Sequence, residues 1–295
     1  MPSLVAPKIL KALAFAFLFY VLCSMFYVLP VWSQEAVPAQ ETAFDRQYSD
    51  YQAQIKEYEL KHSDYILKRS QYLRFKTLTS QEDAIDATGE MLFARADVVA
   101  SYLKTLKEKL KEGEDIPADF EARITVSIDD ELVWLSSHKG ETATAETLKD
   151  LEGSSLESSE RFSSSQNLAF YETLSAIALG KVLGYEKRTQ DLFDGLKKKL
   201  DEIRSDSRDE YSFSSNKFQI LDRWMFDAET RIERSKQRSV SVSTLFSQKN
   251  TKSKRTNALS LYNQTLTTLG QSQLYLKEAN TFMGEVIREL KTAEK

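Results

Sequence analysis

The chain has 295 residues, 41% of them apolar, with 40 basic against 44 acidic side chains and a net charge of −4. That length allows one large domain or two. Nine glycines and five prolines, three of the prolines before residue 35, argue for long helices with few connections. The lone cysteine, Cys23, excludes an internal disulfide, so stability has to come from packing.

In chain order the first element is Ile9–Leu29, ILKALAFAFLFYVLCSMFYVL. From Ala12 to Leu29 it carries no charge over 18 residues, enough to cross a hydrocarbon core, which takes roughly 18 or more. Lys8 and Lys11 precede it and Glu35 is the first charge after it, which directs the remaining chain across the membrane. Pro30 and Val31-Trp32-Ser33 also suit a cleaved signal peptide, although the apolar run exceeds the roughly 7–15 residues of an ordinary signal core. Tyr20-Val21-Leu22 ahead of Cys23 lacks the small residues of a lipoprotein site. Residues 1–33 are therefore expected to be a signal peptide or a transmembrane anchor. The rest is expected to be extracytoplasmic, in the cell envelope, membrane-anchored or secreted. Residues 1–33 hold Lys8, Lys11 and no acid, so the exported part has a net charge of −6.

Residues 34–43 read as a linker. A first helix over about Phe44–Phe75 follows, with Phe44, Tyr51, Tyr58, Tyr65 and Tyr72 every seven residues and Tyr48, Ile55, His62 and Arg69 on the offset seam. Such a face suits either ligand stacking or a wet helix–helix seam, and we read it as the seam. Ser80 is the expected N-cap of a second helix, with Asp83 completing the box. Its stripe runs Ile85, Gly89, Leu92, Ala96, Val99, Leu103, Leu106, Leu110 and ends before Gly113–Pro117, so the first two helices form a hairpin.

Ala118–Leu151 reads as a third helix, or two with a break near Gly140, and Gly153-Ser154-Ser155 as a turn. A fourth helix begins near Ser163–Ser165 and reaches about Arg204; within it Ala176, Gly180 and Gly184 are four apart, which permits a close crossing. The polar run over residues 205–215 is the expected internal boundary. A fifth helix (about Asn216–Phe246), with the stripe Phe218, Leu221, Met225, Ala228, Ile232, Ser235, Ser239, Val242 and Phe246, and a sixth (about Ser253–Thr292) then form a hairpin. The sixth carries the stripe Leu259, Tyr262, Leu266, Leu269, Gln273, Leu276, Asn280, Met283, Ile287 and Leu290, with Gln273 and Asn280 at places where a polar residue sets register. The expected organisation is thus a membrane or signal segment (1–33), a linker (34–43), an N-terminal bundle part (44–204), a polar break (205–215) and a C-terminal hairpin (216–295). The fold class is all-α, about six long antiparallel helices in a coiled-coil-like bundle.

Chemistry is sparse. Glu59-Leu60-Lys61-His62 matches one half of a paired di-iron motif, and the other histidine, His138, has Leu135 where the glutamate belongs. No phosphate-binding loop, dinucleotide fingerprint or nucleophile elbow occurs. No catalytic residue, cofactor or metal site is expected, and the protein is not expected to be an enzyme. One charge signal stands out: Arg231, Arg234, Lys236, Arg238, Lys249, Lys252, Lys254 and Arg255 against Glu233 alone, +7 over 25 residues, expected to crowd the hairpin tip that joins the fifth and sixth helices. It suits contact with an anionic surface, whether lipid, an acidic envelope polymer or an acidic protein. It equally suits a solvated loop that balances neighbouring acids. Nucleic acid is not an expected partner of an exported chain.

The run Trp134-Leu135…His138…Thr147-Leu148-Lys149-Asp150-Leu151-Glu152, after the tyrosine helix, resembles uncharacterised exported helical proteins of small-genome, candidate-phylum bacteria. The resemblance implies an extracytoplasmic helical protein without an assigned activity. The expected function is a structural or interaction module of the cell envelope, membrane-bound through the N-terminal helix if that is uncleaved. Unpaired heptad faces would allow self-association. The alternative is a sensor ectodomain holding a small molecule between helices.

Overall fold

The structure, a computed structural model, describes residues 42–205, 213–247 and 257–292, and the Ile9–Leu29 segment lies outside them. Among the described residues there is no strand. The elements are α1 (Ala43–Phe75), α2 (Leu78–Lys111), α3 (Ala118–Thr142), α4 (Leu148–Arg161), a π-helical turn (Phe162–Gln166), α5 (Asn167–Ser205), α6 (Ser215–Ser247) and α7 (Ala258–Lys291). Because α4, the π turn and α5 run on without interruption, the described residues form six helical rods, and the fold is an all-α bundle. No described helix is long and apolar enough to cross a membrane.

Local chemistry sets the boundaries. Thr42 caps α1 in a reciprocal box with Asp45, and Thr147 caps α4 with Asp150. The second helix begins earlier than its sequence signals indicate. Thr77 is the N-cap, and Ser80 is the third helical residue, its hydroxyl oxygen accepting a hydrogen bond from the Thr77 N–H. Both positions are hydroxyl residues, but only Ser80 is followed by acids within a turn; the left-handed turn at Lys76 (φ 53°) ends α1 directly before Thr77 and makes that residue the cap. The break in the third segment falls at residues 143–147, beyond Gly140, while Gly153-Ser154-Ser155 lies inside α4. The Thr147 cap outweighs the helix penalty of one glycine, about 1 kcal/mol.

Ion pairs show the directions. Lys61–Glu90 and Lys68–Asp83 run α1 antiparallel to α2, and Lys107–Asp129 and Lys139–Asp97 do the same for α2 and α3. α5 lies antiparallel to α6, through Glu186–Ser235 and Arg204–Asp222. It runs parallel to α7, through Tyr171–Tyr262 and Tyr185–Asn280. The helix that precedes the 205–215 run thus packs on both helices that follow it.

Two apolar clusters fill the interior. One joins Leu103, Leu106, Ile124, Ile128, Phe170 and Leu179 with Val242 and Leu269. The other joins Phe193, Leu221, Met225, Ile232, Met283 and Val286. A smaller one places Met91, Leu92 and Leu151 under Tyr58 and Tyr65. On α6 the expected stripe is buried from Leu221 through Met225, Ala228, Ile232, Ser235 and Ser239 to Val242, with Phe218 half-buried. On α7 the buried set is Ala258, Thr265, Leu269, Ser272, Leu276, Ala279, Met283 and Val286, of which Leu269, Leu276 and Met283 lie on the expected stripe. Gln273 and Asn280 therefore sit at the edge of the seam and Ser272 and Ala279 at its centre, because a small residue fits where α5 and α6 both approach. Gly180 admits the α2–α3 connection: a Cβ there would stand 2.5 Å from Ile116 Cγ1 and 3.3 Å from the Ile116 N. The Ala176-Gly180-Gly184 stripe therefore receives a loop.

Candidate functional site

Four of the eight basic residues are described, and α6 uses them in two ways. Arg231 Nε lies 3.1 Å from Glu278 Oε2, an ion pair to α7 without hydrogen-bond alignment, with its guanidinium over Tyr275. Lys236 Nζ donates to Gln190 Oε1 of α5 at 2.9 Å. These two charges tie helices together. Arg234 and Arg238 are exposed, one turn apart on the outer side of α6. Lys249, Lys252, Lys254 and Arg255 lie outside the described residues. Since Arg231–Arg238 end nine residues before Ser247, or about 14 Å of helix, the basic run starts on the body of α6 and continues into the α6–α7 connection.

The tyrosine face of α1 lies along α2. Tyr51, Tyr58, Tyr65 and Tyr72 are half-buried, and α1 has no fully buried residue. Tyr51 meets Tyr102 of α2 at 5.2 Å between ring centroids, and Tyr102 meets Phe170 edge-on. His62 lies between Tyr58 and Tyr65 at 5.6 and 6.1 Å. Arg69, expected on this seam, is exposed. Burial pushes the Tyr51, Tyr58 and Tyr102 phenols up from their ordinary values, most strongly at Tyr102. The face is occupied by packing.

Two buried carboxylates organise the interior. Glu131, on α3, takes a bidentate pair from Arg161 at 2.8 and 2.9 Å and a hydrogen bond from the Ser165 hydroxyl. The Arg161 guanidinium also covers Trp134. The π turn brings Ser165 to this point, since one extra residue in the helical turn rotates the serine inward. Glu186, on α5, meets no cation among the described residues; Ser235 and Ser239 of α6 donate to its Oε1 at 2.6 and 2.8 Å, and Ser272 of α7 bonds Ser235 at 2.6 Å. This polar layer lies between the two larger apolar clusters. Heptad reading could place Ser235 and Ser239 inside; Glu186 had no such signal, because its position follows from the partners across the bundle.

Two depressions lie among the described residues. A cavity between α5 and α7, lined by Leu168, Tyr171, Ser175, Ala258 and Thr265, measures about 30 Å³, room for one water. A second depression, along Asp194, Lys198, Asp201 and Ser205, is an open charged helix face.

At the α3–α4 corner His138, Glu141 and Glu157 each present a ligand atom within 4.8 Å of the others. His138 is 6% exposed and stacks on Trp134 at 4.6 Å, while both glutamates are exposed. Among the described residues these could hold a cation. The di-iron pattern Glu-x-x-His does not cover them, since here the order is His-x-x-Glu and the third member arrives through the turn at 143–147.

The chain matches no protein-family model, and no curated protein or solved structure is significantly similar to it.

Proposed function

We propose that this chain is a non-enzymatic, extracytoplasmic helical-bundle protein, a structural or interaction module of the cell envelope. On this reading Ile9–Leu29 exports or anchors it, its coiled-coil-like rods act as spacers, and residues 231–255 meet an anionic surface. Its kinship with exported helical proteins of candidate-phylum bacteria belongs to the same proposal. The observation that carries the reading is the pair Arg234 and Arg238. Among the described residues neither has an ion-pair partner on a neighbouring helix, and they stand exposed on the stretch that leads into Lys249, Lys252, Lys254 and Arg255.

The test is co-sedimentation of residues 42–295, which form one compact unit, with vesicles of anionic or neutral lipid at low and high salt. Binding to anionic vesicles alone that fades as salt rises is expected, because screening weakens exposed charges. Arg234→Glu with Arg238→Glu should lower it further. Absence of binding at either salt would remove the anionic-surface reading.

A further inference from the structure

The corner between α3 and α4 carries a group that neither the basic run nor the tyrosine seam involves, so its chemistry is independent of the proposed function. Glu141 comes three residues after His138, so both side chains leave the same face of α3. The connection at 143–147 reverses the chain, and Glu157 approaches from α4. His138 Nδ1 is buried and has no hydrogen-bond partner. It faces Glu157 Oε2 across 3.7 Å, too far for a hydrogen bond. Buried polar atoms in native folds are nearly always satisfied, so an orphaned imidazole nitrogen aimed at two carboxylates calls for an occupant. Trp134 stacks on the ring within 12° of parallel and fixes its plane, which keeps Nδ1 directed at that point.

We propose that His138, Glu141 and Glu157 bind one divalent transition-metal ion, with Zn²⁺ the best match, through His138 Nδ1 and one oxygen of each glutamate. A neutral imidazole and two carboxylates balance the charge of a 2+ ion. The mixed nitrogen and oxygen set suits Zn²⁺ or its first-row neighbours, whereas Mg²⁺ and Ca²⁺ prefer six or more oxygens. Metal–ligand distances of about 2.0–2.2 Å place tetrahedral ligand atoms about 3.4 Å apart. His138 and Glu157 are already close to that spacing. Glu141 and Glu157 are exposed, and apart from the contact with His138 neither carboxylate has an ion-pair partner among the described residues. Their side chains can therefore close the remaining gap by changing rotamer, while water takes the open position. The ion would fasten α4 to α3 across the 143–147 connection.

Titrating the full chain, purified in mild detergent, with Co²⁺ tests this, because a tetrahedral nitrogen–oxygen site gives a visible absorption band. Zn²⁺ is added in parallel while thermal unfolding is followed. One ion per chain is expected, with a rise in Tm on adding Zn²⁺. Glu141→Gln and Glu157→Gln should each weaken binding about tenfold or more, and Glu160→Gln should leave it unchanged. Both glutamates are exposed, so these variants read binding without disturbing the fold. His138→Gln should abolish the band. Absence of a stoichiometric Co²⁺ band, or equal Zn²⁺ affinity in the double Glu141→Gln/Glu157→Gln variant, would overturn the proposal in favour of a plain histidine–glutamate contact.

Discussion

Glu131 and Glu186 are carboxylates removed from water by different means. Glu131 is matched by a full positive charge at two points, and Arg161 in turn is shielded by Trp134. Glu186 relies on serine hydroxyls, each of which also has to be buried. Removing the cation from the first pair leaves an uncompensated buried charge, which costs far more than the pair contributes when whole. Arg161→Met is therefore expected to destabilise the fold by about 3–5 kcal/mol, read from the midpoint of chemical unfolding. A loss under about 1 kcal/mol would mean that Glu131 escapes to water. The basic residues of α6 divide on the same principle: Arg231 and Lys236 have partners across the bundle, and among the described residues Arg234 and Arg238 do not.

At the scale of elements, α1 is the least secured helix. It lies chiefly along α2, its contacts are half-buried phenols, and surface pairs such as Lys61–Glu90 contribute little. Burial raises the Tyr51, Tyr58 and Tyr102 phenols, so folding favours their neutral form. That contribution is complete below the ordinary tyrosine value of about 10 and is lost as pH climbs through the raised folded values. Alkaline titration should show a late-ionising class of tyrosines by ultraviolet absorbance, accompanied by loss of helical circular dichroism. If all thirteen tyrosines ionised together with no helix loss, the seam would not be the coupled element. The α5–α6–α7 unit differs: its polar layer sets register between two apolar clusters, because a slip of one turn would part Glu186 from its hydroxyls.

For the molecule as a whole, burial is graded from α1 inward to α5. α5 is buried over most of its N-terminal half, with neighbours on several sides, including the loop seated at Gly180. Local opening free energies should follow that gradient. In native-state hydrogen exchange, residues 43–75 are expected to lose protection first and residues 168–193 last. Uniform exchange across all rods would instead indicate a single cooperative unit.

Helix type, number and approximate length were legible in the residues alone, since apolar spacing of three and four and the scarcity of Gly and Pro are local properties. The α6 stripe and the tyrosine seam followed from periodicity. On α7 Leu269, Leu276 and Met283 followed in the same way, but Ser272 and Ala279 did not, because only the approach of α5 and α6 turns those small residues inward. The continuity of α4 into α5 was hidden for a related reason: serines 163–165 read as a helix start, but Glu131 on another helix gives Ser165 a partner that holds it in a π turn. The grouping of His138, Glu141 and Glu157 belongs to the same class. Its ligand types are visible in the sequence, but their meeting depends on where the chain turns and on which face of α4 lies against α3. Local propensity determines elements; only packing between elements distant in sequence determines which side chains share a site.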